Sequence, residues 1–302
     1  MNIKTISILG AGWLGTELAS KLLLENKYHI KVSTTSINKI DKFIKMGLEP
    51  YLINFSPTLN NMSASGINSD NNFLHFFKSD LLIISIPPKV KTYGEEFHLN
   101  QIKELINYLL SVPNSFDGYI IYLSSTSVYG DYQGIVDEET PATPSKASGR
   151  VILAVENILK EKFTNKLTII RLGGLIGPGR EPSHFSKKNP KLIDSNLPIN
   201  LIHLDDACRV IISVIKESAW NETFNAVSDE HISKNEFYKN ILLSESTTSS
   251  VSISLHAYIN INVNVNSLNI FPNKNQKNVN NFSNNGKIVL NNKVKYLLRK
   301  NR

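Results

Sequence analysis

Apolar stretches closed by turn residues recur along the first three quarters of the chain and predict buried strands at 3–9, 30–35, 50–55, 80–86, 119–123, 167–172 and 223–226. Between several of them lie segments of helical length, at 16–24, 99–110, 149–163 and 205–218. Alternation of this kind predicts an α/β fold of Rossmann type: a doubly wound parallel sheet covered by helices, with its ligand at the carboxyl ends of the strands. The polar stretch 58–72 reads as a loop. Pro87-Pro88 closes the fourth strand where the backbone cannot continue as helix, so Ile86 and Pro87 are expected on the floor of a nucleotide cleft.

The first strand runs directly into Gly10-Ala11-Gly12-Trp13-Leu14-Gly15 and then into a helix. In that setting each glycine has a physical task. Gly10 permits the tight turn, Gly12 lets a pyrophosphate approach the backbone, and Gly15 lets helix pack on strand, with phosphate at the helix start beside Trp13 and Leu14. The cofactor's second phosphate is decided after the second strand. An acidic residue there would bind a ribose hydroxyl, whereas hydroxyls and a cation accept a 2'-phosphate. This chain places Thr34, Thr35, Ser36 and Lys39 there and no Asp or Glu before Asp41, which favours NADP over NAD.

The 302 residues carry 33 Lys and Arg against 26 Asp and Glu, a formal charge of +7. Residues 246–302 hold eight basic and no acidic residues, so residues 1–245 sum to 7 − 8 = −1. The nearly neutral body argues against a nucleic-acid surface, and the basic end reads as a solvated tail. No apolar run approaches the roughly 18 to 20 residues of a membrane span, and the start lacks the pattern of a secretory signal. A single cysteine, Cys208, permits no internal disulfide and no metal cluster, in keeping with a cytoplasmic protein. The segment 259–285 contains 12 Asn in 27 residues and is expected to be partly disordered, with an edge strand over the alternation at 259–265 left open.

Five segments in order over about residues 1–240 resemble the extended short-chain dehydrogenase/reductases of the NAD-dependent epimerase/dehydratase branch. They are the glycine turn, Ser124-Ser125-Thr126-Ser127-Val128-Tyr129-Gly130, Asp137-Glu138-Glu139-Thr140-Pro141, the run from Arg171 to Arg180 with its Gly173, Gly177 and Gly179, and Ile202-His203-Leu204-Asp205-Asp206. The resemblance implies a dinucleotide-binding domain over 1–172 and a smaller substrate lobe over 173–302, with 201–227 returning to the main sheet and 246–302 forming the tail. It implies that Ser125 polarises a substrate oxygen, that Tyr129 presents a phenol to the cleft, and that Thr126, Ser127 and Arg180 meet the substrate. The small molecule is the expected partner, and a homodimer is left open. Members of this branch carry Tyr-x-x-x-Lys on the helix after the acidic loop. Aligned on Glu156, those positions hold Ser148 and Ile152, so the usual proton donor and its lysine are absent. The readings that remain are an NAD(P)-dependent oxidoreductase or epimerase and a dinucleotide-binding sensor or scaffold without turnover. His203 reads as a buried, hydrogen-bonded histidine.

Overall fold

Continuous burial, with no alternation of inward and outward positions, marks the central strands. All four residues of Leu81–Ile84 and all six of Leu167–Leu172 are buried, as expected of strands covered on both faces. The computed structural model describes residues 3–55, 70–111, 116–131, 134–181, 196–229, 231–239 and 286–300. In chain order the elements are β1 (Thr5–Leu9), α1 (Trp13–Leu23), β2 (His29–Thr34), α2 (Ile40–Lys45), β3 (Glu49–Leu52), α3 (Asp70–Phe77), β4 (Leu81–Ile84), α4 (Val90–Tyr93), α5 (Glu95–Ser111), β5 (Tyr119–Ser125), β6 (Gly134–Val136), α6 (Ala147–Lys162), β7 (Leu167–Leu172), β8 (Gly174–Ile176), β9 (Leu201–His203), α7 (Leu204–Lys216), β10 (Thr223–Ala226), β11 (Lys287–Val289) and α8 (Asn292–Lys300).

The seven strands expected from the pattern form one sheet in the order β10-β7-β5-β4-β1-β2-β3, with β1–β2, β1–β4, β2–β3 and β4–β5 parallel. The order reverses between β1 and β4. A crevice opens at such a point because consecutive crossovers leave to opposite sides. The fold is therefore the Rossmann-like α/β sheet that the alternation of strands and helices predicts.

The chain divides into two compact units, one of residues 1–124, 146–170 and 211–223, the other of 125–145, 171–210 and 224–302. Each unit is assembled from several stretches of chain. In the first, the Asp80 carboxylate accepts the amides of Lys4 and Thr5, both at 2.8 Å, and fixes the start of β1. Phe73 and Phe77 of α3 pack with Phe55 and Tyr108, and Phe76 stands edge-on to Tyr51. These aromatic side chains cover the β3 side of the sheet. α3 begins at Asp70, so the last residues of the expected 58–72 loop are helical, while 58–69 lies outside the described residues.

The second unit contains two parallel strand pairs, β6 with β11 and β8 with β9, and an apolar cluster of Ile176, Ile199, Phe237 and Tyr238. Residues 286–300, assigned to the tail by their composition, are ordered into β11 and α8. Asparagine amides hold them in place. Asn200 donates to Lys287 O at 2.8 Å and accepts from Val289 N at 2.9 Å, and Asn291 donates to Val227 O and Asp229. Side-chain amides do here what a longer strand ladder would otherwise do, which the apolar pattern could not reveal. The Asn-rich stretch 259–285, with the alternation over 259–265, lies outside the described residues.

His98 of α5 is fully buried, and among the described residues neither ring nitrogen has a partner in hydrogen-bond geometry. Burial disfavours the imidazolium and holds its pKa down to about 4. The unfolded chain binds the proton first, so the stability due to neutral His98 is complete above the ordinary value near 6.5. It is lost as pH falls toward about 4, about 3 kcal/mol over that window. Denaturant unfolding at pH 7.5 and 4.5 should show that His98→Leu removes a part of the acid destabilisation of this order; an unchanged pH dependence would refute it.

Candidate functional site

The turn after β1 owes its shape to two close approaches. Gly10 has φ +97, and a Cβ there would stand 3.1 Å from Ser85 O. A Cβ on Gly15 would stand 2.6 Å from Gly10 O, so only glycine lets α1 settle on the end of β1. Gly12, between them, is exposed, and a Cβ there meets nothing within 4 Å. β2 anchors the turn from the other side. Ser33 Oγ accepts from Gly10 N and Ser33 O accepts from Ala11 N, both at 2.8 Å.

Above the turn lies a cavity of about 560 Å³, inside the first unit. Of the residues expected at a cofactor, Gly10, Gly12, Thr34, Thr35, Lys39, Ile86 and Pro87 line it. Trp13, Leu14, Gly15 and Ser36 do not. Leu14 and Gly15 are buried in the packing of α1, and the Ser36 amide donates to Thr34 Oγ1 at 3.1 Å, closing the end of β2. Trp13 opens α1 half-buried. Among the described residues Lys39 and Lys89 are the charged residues of the wall, and no carboxylate lines it. The other wall comes from the chain after β4: Lys89, then Tyr93 and Phe97, whose rings stack at 4.5 Å. These were missed because they fall between predicted elements. The available signals were a cation directly after Pro87-Pro88 and an aromatic pair four residues apart.

The loop after β5 belongs to the second unit. Ser125 ends the strand half-buried, and its Oγ accepts the Ser127 amide at 3.1 Å, opening a 3-10 turn over Thr126–Val128. Thr126 is buried and Ser127 half-buried. Lys287 of β11 donates to the carbonyls of Thr126 at 2.8 Å and Tyr129 at 3.1 Å, so the C-terminal strand holds the loop's backbone. Arg180 is exposed and turns back on Gly177 through a backbone hydrogen bond of 2.8 Å.

Tyr129 does not occupy the place expected of a proton source. It is 1% exposed; its phenol proton faces Asp137 O at 2.7 Å and Asn225 Oδ1 at 3.0 Å, and its oxygen accepts from Arg171 Nη1 at 2.8 Å. The Arg171 guanidinium also lies 5.0 Å from the ring centre. Burial pushes the phenol pKa up, further from use as an acid. The hydroxyl is spent on packing the loop against β7's last residues and β10.

On α6, Ser148 is half-buried and Ile152 buried, while Glu156 is buried and accepts from Ser124 Oγ at 2.5 Å. His203 is buried, and its Nδ1 accepts from Asp205 N at 3.2 Å at the first turn of α7. Among the described residues no cluster of His, Cys, Asp or Glu could hold a metal ion, and no helix is long and apolar enough to cross a membrane.

The sheet order, the glycine turn at its reversal point and the cavity above it define a protein of Rossmann-like α/β fold. Two solved structures share this fold: UDP-glucuronic acid 4-epimerase from Bacillus cereus in complex with NAD (TM-score 0.63, 17% identity, 81% of this chain and 84% of that one) and UDP-N-acetylglucosamine 4-epimerase from Bacillus cereus (0.60, 16%, 82% and 86%). No family model matches the chain. Protein YeeZ of Escherichia coli strain K12 is 32% identical over 240 residues, covering 78% of this chain and 82% of its own length. The chain belongs to the YeeZ family.

The buried tyrosine supplies a direct test of its structural role. Tyr129→Phe keeps the ring and deletes the oxygen that Arg171 and Asn225 meet, so equilibrium unfolding should show a loss of about 1–3 kcal/mol. A variant as stable as wild type would show that the network contributes nothing.

Proposed function

We propose that the chain binds a nicotinamide dinucleotide, NADP in preference to NAD, and acts as an oxidoreductase or epimerase on a small carbonyl or nucleotide-sugar-like substrate. The observation that carries this reading is the cavity at the sheet's reversal point, lined among the described residues by Gly10, Gly12 and two lysines and by no carboxylate. The open face of Gly12 suits a pyrophosphate, and Thr34, Thr35 and Lys39 suit a ribose that carries a phosphate. Ile86 and Pro87 would flank the same molecule. A bound nicotinamide supplies a hydride donor or acceptor; the protein's part is to hold it and to orient the substrate.

Ser125 is the proposed oxygen-polarising group. Its Oγ already accepts the Ser127 amide, which leaves its own proton to donate. With Tyr129 enclosed and Ser148 and Ile152 in place of the usual pair, the remaining proton source is water. The same features favour a second reading, a dinucleotide-binding sensor or scaffold without turnover. The two UDP-sugar epimerases of like fold favour the first.

Titration of the full chain with NADPH and NADH tests the binding. Wild type should bind NADPH more tightly; Gly12→Leu should abolish binding with its fold intact, and Lys39→Glu should erase or reverse the preference. A well-folded wild type that binds neither nucleotide overturns the reading. Turnover is tested on a panel of carbonyl compounds and nucleotide sugars with both cofactors. Ser125→Ala should cut it on the order of 10²-fold. Turnover indifferent to Ser125 refutes the assignment, and tight NADPH binding with no turnover on any substrate selects the sensor.

A further inference from the structure

Five non-glycine residues among those described have positive φ. Four are Asn26, Asn165, Ser218 and Asn221, short polar residues in turns, of which asparagine in particular tolerates this region. The fifth is Lys89, at φ 45 and ψ 35, directly after Pro87-Pro88. Glycine takes this conformation freely, whereas a lysine takes it at a cost. Such a residue persists where its surroundings impose it, and these sites concentrate at ligand clamps.

The surroundings are specific. Lys89 lines the cavity with Gly10, Gly12 and Lys39, and its ammonium lies 5.9 Å from the centre of the Tyr93 ring, itself stacked on Phe97. β4 and β2 flank β1 on opposite sides, so the two lysines reach the cavity from opposite sides of the glycine turn. Lys39 follows β2, where the ribose reading places a 2'-phosphate. Lys89 follows Ser85 and Ile86, the backbone against which Gly10 packs, on the side of the turn away from β2. Lys89 is exposed at the wall, where no carboxylate stands among the described residues, so its charge is open to an anion in the cavity.

We propose that Lys89 is a binding residue for the pyrophosphate of the dinucleotide, held over the glycine turn by its left-handed backbone and by the Tyr93 ring. This rests on the dinucleotide reading above, and it separates the roles of the two lysines. Lys39 distinguishes NADPH from NADH; Lys89 binds what the two share.

The test is titration of the full chain with NADPH and with NADH, using wild type, Lys89→Met and Lys89→Gly. Lys89→Met keeps an apolar stem and removes the charge, and should weaken both nucleotides by a similar factor, about tenfold. Lys89→Gly should lose as much affinity while melting no lower than wild type, because it relieves the backbone; a residue kept for stability alone would behave in the opposite way. Raising the salt concentration should weaken wild type more than Lys89→Met. Binding within twofold of wild type in both variants, or a loss confined to NADPH, overturns the proposal while leaving the dinucleotide reading intact. Absence of binding to wild type overturns both.

Discussion

The contact between Gly15 and the Gly10 carbonyl sets the geometry of the first unit. A Cβ at position 15 would stand 2.6 Å from that oxygen, and the obstacle is backbone, which cannot swing away as a flexible side chain can. The absence of one methyl group lets α1 lie against the end of β1. That placement turns the first amides of the helix, which have no carbonyl partner within it, toward the crevice between β1 and β4. The Ser33 hydroxyl then holds the Gly10 amide, so the turn is braced by β2 as well as by α1. Residues 10–12 are left with little freedom before any ligand arrives, which is what preorganised recognition of an anion requires.

Charge distribution follows the same division of labour. Among the described residues the wall of the cavity carries hydroxyls and two lysines, while Asp80 is occupied with the amides that start β1 and Glu49 with His29 and Tyr51 on the β2–β3 edge. In the second unit the polar groups are turned inward. Tyr129, Arg171, Asn225 and the Asp137 carbonyl form a buried network, and the Glu138 carboxylate, its pKa raised by burial, accepts the Asn225 amide at 2.8 Å. A phenol enclosed in this way stabilises a loop and is removed from proton transfer.

Much of this was legible in the residues. Seven apolar stretches became the seven strands of the sheet, with ends displaced by a few residues, because strands buried on both faces must be apolar throughout. The glycine spacing marked the turn because Gly10 and Gly15 there answer backbone requirements that no other residue meets. Thr34, Thr35, Lys39, Ile86 and Pro87 could be placed at the cavity because parallel strands deliver their carboxyl ends to one side. These are local requirements, and a local requirement leaves its mark on the sequence nearby.

What the sequence determined by itself is therefore the order of strands and helices, the glycine turn and the absence of Tyr and Lys at positions 148 and 152. Tertiary structure alone decided what long-range partners decide. Tyr129 looks the same in sequence whether it faces a cleft or meets Arg171 and Asn225, 42 and 96 residues away. Residues 286–300 look like a solvated basic end until Asn200, 87 and 89 positions earlier, hydrogen-bonds them beside β6. Lys89 looks like any surface lysine until the backbone after Pro87-Pro88 turns left-handed and brings it over Tyr93. In each case the polar group's partner is distant along the chain, and only the fold determines which polar groups meet.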